Sequence, residues 1–88
     1  MLNKISQRDR ARLGRVKSCP CSVCGAPPPS EAHHIKQGQQ YTVVALCADC
    51  HRGSRNGWHG NRAIWRVMKM DQLDALAVTL KNLESANV

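Results

Sequence analysis

At 88 residues the chain has room for one small domain and little capacity for a large hydrophobic core. It has no Phe, and Tyr41, Trp58 and Trp65 are its only aromatic residues, so a fold of this size calls for a staple such as disulfides or a metal. The formal charge of +7 suits a polyanionic partner. No apolar run approaches the ~20 residues that span a bilayer, which argues against a membrane protein.

The charge is unevenly placed. Residues 1–20 carry Lys4, Arg8, Arg10, Arg12, Arg15 and Lys17 against Asp9, and residues 51–70 carry Arg52, Arg55, Arg62, Arg66 and Lys69 with no acid. The segments between and after them are near neutral or slightly acidic. Two basic blocks therefore flank a neutral middle. A solvated surface explains such blocks in part; a polyanion explains both their sign and their clustering.

In chain order, residues 1–18 read as a basic arm or short helix with thinly spaced apolar Ile5, Leu13 and Val16. Residues 19–88 form the domain proper. The turn-rich stretch from Cys19 to Ser30, with Pro20, Gly25 and Pro27-Pro28-Pro29, predicts a loop. Ala32–Ile35 and Tyr41–Leu46 predict two short strands, turned by Lys36-Gln37-Gly38-Gln39-Gln40. A short helix starts near Ala48 or Asp49 and stops by Gly53 to Gly57. Gly57-Trp58-His59-Gly60 is a loop, after which Asn61 is placed to cap a helix running to Lys69. Asp71 is placed to cap a final amphipathic helix, with Asp74 in its first turn. Leu73, Leu76, Leu80 and Leu83 fall at helical spacing and predict its core-facing stripe.

The cysteines number five, an odd count that argues against a closed disulfide framework. No secretory signal precedes them, so a reducing, cytosolic compartment is expected, where paired cysteines bind metal. Cys21-Ser22-Val23-Cys24 and Cys47-Ala48-Asp49-Cys50 are two CxxC pairs separated by 22 residues. Two thiolates on one tight turn grip an ion, and two such turns complete the tetrahedron that zinc prefers. Gly25 permits the turn after the first pair. A structural zinc on Cys21, Cys24, Cys47 and Cys50 follows, and in so small a chain it contributes directly to folding. Cys19 competes with Cys21 through a CxC spacing; Cys21 is preferred because it keeps the symmetrical pairs. The CxxCH at Cys47–His51 also spells a haem attachment pattern, but this leaves the first pair unexplained. A thioredoxin-like role lacks its βαβ setting.

Four histidines remain. His33 and His34 are adjacent on the first strand, and His51 is rotated about 100° from Cys50 on the following helix, so it can face the hairpin while Cys50 faces zinc. With His59 downstream, all four can gather at a hairpin and helix that zinc has made rigid. One difficulty is that neighbours on a regular strand point to opposite faces. His33 and His34 reach one site only if the strand ends, twists or bulges there.

Taken together, AHHI, a strand and LCADCH resemble the HNH nuclease superfamily, whose ββα core holds one metal and whose zinc-bearing members add a treble clef of two CxxC pairs. More narrowly, CSVCG…EAHHI…LCADCHRG…GWHG followed by a Trp-containing helix is similar to the phage recombination-enhancement (Ref) family of RecA-dependent nucleases. The resemblance covers residues 19 to 80. It implies a small α+β fold, with a zinc-stapled treble clef, a ββα-metal core and a C-terminal amphipathic helix. It further implies that His33, His51 and His59 bind a catalytic divalent ion and that His34 is the general base of DNA phosphodiester hydrolysis, cutting or nicking. Imidazole ligands suit zinc or another transition metal such as manganese, whereas the family implies an ion such as magnesium. Thr42 stands where the family usually has asparagine.

Arg52, Arg55 and Arg62 are candidates for holding flanking phosphates, and Arg8, Arg10 and Arg12 of the basic arm for clamping DNA without reading bases. The expected partners are DNA and a RecA–DNA filament, in the cytoplasm of a bacterium or phage-infected host. The rival reading is a non-catalytic zinc-finger DNA-binding or recombination adaptor module, which accounts for cysteines and charge but leaves the histidines unexplained.

Overall fold

Ser6 opens the first helix: its hydroxyl accepts the Asp9 N–H at 3.0 Å, a side-chain N-cap that satisfies one of the orphan donors of the first turn. The computed structural model describes residues 6–86, so Lys4 and Ile5 of the basic segment lie outside the described residues. The elements are α1 (Gln7–Lys17), β1 (Glu31–His34), β2 (Val43–Leu46), α2 (Ala48–Arg52), α3 (Ala63–Val67) and α4 (Gln72–Ala86). This is a small α+β arrangement of four helices around a two-stranded antiparallel sheet. No described helix is long and apolar enough to cross a membrane.

The sheet is the centre. Glu31 pairs with Leu46, Ala32 with Ala45, His33 with Val44 and His34 with Val43. β1 has the expected length but starts and ends one residue earlier than Ala32–Ile35, and β2 is two residues shorter than Tyr41–Leu46. Ile35 leaves the ladder after one more bond, its N–H donating to the Thr42 carbonyl at 3.1 Å, and Tyr41 and Thr42 belong to the connecting turn.

All four residues of β2 are buried, because both faces of the strand are covered. Val44 and Leu46 pack with Cys21, Val23, Cys50, Trp65 and Ala75. Val43 and Ala45 pack on the other side with Val16, Cys19 and Leu83. Side chains alternate along a strand, so Glu31 and His33, opposite Leu46 and Val44, share the face that meets α2. Ala32 and His34 share the face toward α1.

Two helix expectations are corrected. Asn61 does not cap α3: the position before the helix is Arg62, in the left-handed region at φ 59° and without a side-chain cap bond. Asn61 is committed to the preceding loop, where its N–H donates to Ser54 O at 3.0 Å and its carbonyl accepts from Arg66 Nη1 at 2.6 Å. The helix also stops at Val67 rather than Lys69, whose φ of 56° ends the run.

The second correction concerns α4. Asp71 and Asp74 do close its start, each backbone N–H donating to the other's carboxylate at 2.9 Å, a reciprocal capping arrangement. The inward face, however, is Ala75, Thr79 and Leu83, with Leu76 half-buried, while Leu73 is 68% and Leu80 38% exposed. Close approach to β2 demands small side chains. Thr79 lies against the strand with its hydroxyl fully used: it donates to Ala75 O at 3.0 Å, accepts the Ala45 N–H at 3.2 Å and meets Ser22 Oγ at 2.6 Å. This polar contact turns the helix so that Leu73 and Leu80 fall on its outer flank.

Removing the hydroxyl at constant shape leaves a strand N–H and the Ser22 hydroxyl buried without a partner. Thr79→Val is expected to destabilise the metal-loaded protein by about 1–3 kcal/mol. Leu73→Ala is expected to stay within about 0.5 kcal/mol. Denaturant unfolding of the two variants measures both, and the reverse ranking would contradict this packing.

Candidate metal centres

Cys21 lies on a tight turn whose geometry is held by backbone bonds: its N–H donates to Ala26 O at 2.9 Å, and the Gly25 N–H returns to Cys21 O at 3.0 Å. Gly25 adopts φ 78°, a conformation that glycine takes without steric cost. The second pair opens α2. Cys47 is its N-cap, with Sγ accepting the Cys50 N–H at 3.4 Å, and Cys50 sits one turn on and is buried. The Ser22 N–H donates to Ala45 O at 2.9 Å, tying the first turn to β2.

One sulfur from each of Cys21, Cys24, Cys47 and Cys50 lies within 4.8 Å of the others. The sulfurs of Cys24 and Cys47 are 3.6 Å apart. No disulfide forms among them. Burial pushes the Cys50 and Cys24 thiols up. Burial acts the same way on Cys21, but the N–H groups of Cys24, Cys47 and Val23 outweigh it and bring that thiol down to about 7. Four soft donors, two per turn and gathered within 4.8 Å of one another, fit a structural zinc. Cys19 is outside this set, buried in the opposite cluster with Sγ 3.4 Å from Arg15 O, as the preference for Cys21 requires.

The second ligand set is made of imidazoles. His33, His51 and His59 each offer a nitrogen within 4.8 Å of the others, and their ring centroids are 5.1–5.2 Å apart. His33 comes from β1 and His51 from α2. His59 is held above α2 by backbone bonds, the Trp58 N–H donating to Cys50 O at 2.9 Å and the His59 N–H to His51 O at 3.1 Å. The loop crosses α2 closely at Gly57 and Gly60, where a Cβ would overlap the Gly53 carbonyl oxygen. Trp65 secures the same place from below, its Nε1 donating to Cys50 O at 3.0 Å.

His34 stands apart from the triad but borders the same open pocket, of about 340 Å³, which His33, His51, His59, Gln37 and Gly38 also line. The strand ends at His34 in regular register, so the adjacent histidines use opposite faces and still reach one pocket around the strand's end. Burial lowers the pKa of His33, keeping it in the neutral form that ligates metal.

Three side chains that the sequence analysis did not single out contact these rings. Glu31 Oε1 accepts from His51 Nδ1 at 2.8 Å, Gln72 Oε1 faces His33 Nε2 at 2.7 Å, and Gln40 Oε1 faces His34 Nε2 at 3.0 Å. Glu31 was detectable in principle, two residues before His33 and so on the same strand face. Nothing local marks Gln72, 39 positions away. Bonds from Arg52 and His51 hold the Glu31 carboxyl down at about 2, so it is ionised at neutral pH. Thr42 leaves its hydroxyl buried without a partner and pins the turn through its carbonyl instead.

The arginines divide. Arg52 grips Glu31 with Nε and Nη2 at 2.8–3.0 Å. Arg62 lies over the Trp58 ring at 3.6 Å and donates to Trp58 O, and Arg12 lies over Tyr41 at 4.9 Å. Each of these has an intramolecular role. Arg8, Arg10 and Arg55 are exposed.

A chain whose thiolate centre is built this way should lose its fold when that centre is removed. Cobalt(II) substitution is expected to give the absorption of a tetrathiolate ion in wild type and in Cys19→Ala, and to lose it in Cys50→Ala together with cooperative unfolding. A tetrathiolate spectrum that depends on Cys19 would overturn this ligand set.

No family model matches the chain, and searches of curated proteins and of solved structures return no match.

Proposed function

We propose that the chain is a metal-dependent DNA endonuclease or nickase of the HNH type, its hairpin and α2 forming the ββα-metal core and its four cysteines a treble-clef zinc site. The observation that carries this reading is the convergence of His33, His51 and His59 on one pocket bordered by a fourth histidine, His34. A zinc module that only binds DNA needs the cysteines and the charge, but has no use for three imidazoles gathered beside a fourth.

The donor set fits a divalent ion: three imidazoles are present, one is held neutral by burial, and the pocket is open on its remaining side. Nitrogen ligands favour zinc, manganese or another transition ion over magnesium. An ion held by His33, His51 and His59 would supply electrostatic stabilisation of the charge that builds on the phosphate and the departing sugar oxygen.

The chain's own residues do the rest. His34 accepts a proton from water as the water oxygen bonds to phosphorus and the bond from phosphorus to the sugar oxygen breaks in line. Gln40 orients the His34 ring through its bond to Nε2. Arg8, Arg10 and Arg55, exposed on the surface, are available to phosphates on either side. With few aromatic residues for stacking bases, the contacts are to backbone and sequence preference is weak. The narrower resemblance adds a RecA–DNA filament as the working substrate in phage or bacterial recombination.

Plasmid nicking tests the reading. Wild type with manganese, zinc or magnesium is expected to nick supercoiled DNA, EDTA to stop it, and His34→Ala to lower the rate by about 10²–10⁴-fold with DNA binding retained. Tight binding with no cutting under any of these metals would favour the non-catalytic module. Cutting indifferent to added RecA would remove the filament from the proposal and leave the nuclease.

A further inference from the structure

Imidazole binds a metal or takes a proton through only one of its nitrogens at a time, and a hydrogen bond at the other decides which. At His51 the chemistry admits one arrangement. The Glu31 carboxylate has no proton to give, so at 2.8 Å it accepts from Nδ1–H, and the lone pair is left on Nε2. Arg52 fixes that carboxylate by a two-pronged bond, with Nε and Nη2 meeting both oxygens. The arginine that the sequence offers to a phosphate therefore serves the pocket from behind. At His33 the Gln72 amide oxygen accepts from Nε2–H at 2.7 Å, leaving Nδ1 as the lone-pair atom. At His34 the Gln40 oxygen does the same at 3.0 Å.

These acceptors come from the start of β1, the start of α4 and the hairpin turn. Each of the three rings therefore has one nitrogen engaged by a side-chain oxygen, Nδ1 at His51 and Nε2 at His33 and His34.

We propose that Glu31, held by Arg52, is the positioning residue that presents His51 Nε2 to a divalent cation, and that Gln72 and Gln40 set His33 and His34 to act through Nδ1. This rests on the reading of His33, His51 and His59 as a cation site and adds which nitrogen each ring uses and which side chain decides it. Glu31 touches neither substrate nor ion. It acts through His51.

Long-range proton–nitrogen NMR on the full chain, nitrogen-labelled, with zinc in the thiolate site and the imidazoles neutral, reads the tautomers directly. The expected spectrum has the proton on Nδ1 of His51 and on Nε2 of His33 and His34. Glu31→Ala is expected to abolish the His51 preference and to weaken manganese or zinc binding at the histidine site by about 10–100-fold. Glu31→Gln, whose amide oxygen still accepts from Nδ1, is expected to restore the tautomer and most of the affinity. The thiolate-site cobalt spectrum reports that each variant is folded. A wild-type His51 carrying its proton on Nε2, or a folded Glu31→Ala protein that binds the second ion as wild type does, would overturn the proposal. The NMR and binding readouts are independent of cutting. Expected tautomers and affinities without nicking would sink the nuclease and spare this inference, whereas nicking with the opposite His51 tautomer would do the reverse.

Discussion

The convergence of four sulfurs from two short turns is the constraint on which the rest of the molecule depends. Cys21 and Cys24 lie before the hairpin, Cys47 and Cys50 immediately after it, and their meeting closes the hairpin's two ends onto one point. A two-stranded sheet of four residues per strand is marginal in water on its own. Closing its ends fixes the start of α2 against β1, and the orientation of α2 in turn aims His51 at His33. Four thiols held this closely, two of them buried, suit a cation that draws off their protons, and binding such an ion would be coupled to folding.

From that point the pocket is assembled by steps that each have a local cause. Alternation along β1 puts Glu31 and His33 on the α2 face. The Gly57 and Gly60 crossings let the following loop lie on α2, and backbone bonds set His59 beside His51. Trp65 fills the space beneath and bonds the same carbonyl of Cys50 that the loop uses. The two centres are thus joined through Cys50 and His51, adjacent residues on one turn of helix that face different ways.

Much of this was legible in the sequence. The paired CxxC spacing pointed to the four cysteines that the fold brings together and favoured Cys21 over Cys19, and the Asp71–Asp74 cap was readable because capping is a local hydrogen-bond problem. What failed needed tertiary information. Leucine spacing suggested a stripe on α4, but contact with β2 selects small residues and a hydroxyl, and helical periodicity cannot tell which of two adjacent faces is pressed against a strand. Asn61 had the chemistry of a cap, yet the loop that precedes it had already claimed its backbone. The charge of Arg52 and Arg62 is visible in a sequence, but Glu31 and the Trp58 ring, which engage them, become their neighbours only on folding.

The central claim is that one small chain carries two cation sites of different donor chemistry, one made of sulfur and one of nitrogen, sharing a single turn of helix. Anomalous diffraction from crystals grown with zinc and soaked in manganese tests it most directly. The account predicts two ions, zinc among Cys21, Cys24, Cys47 and Cys50 and a second ion among His33, His51 and His59. A single ion at the sulfurs, with the three imidazoles turned away from one another, would contradict it.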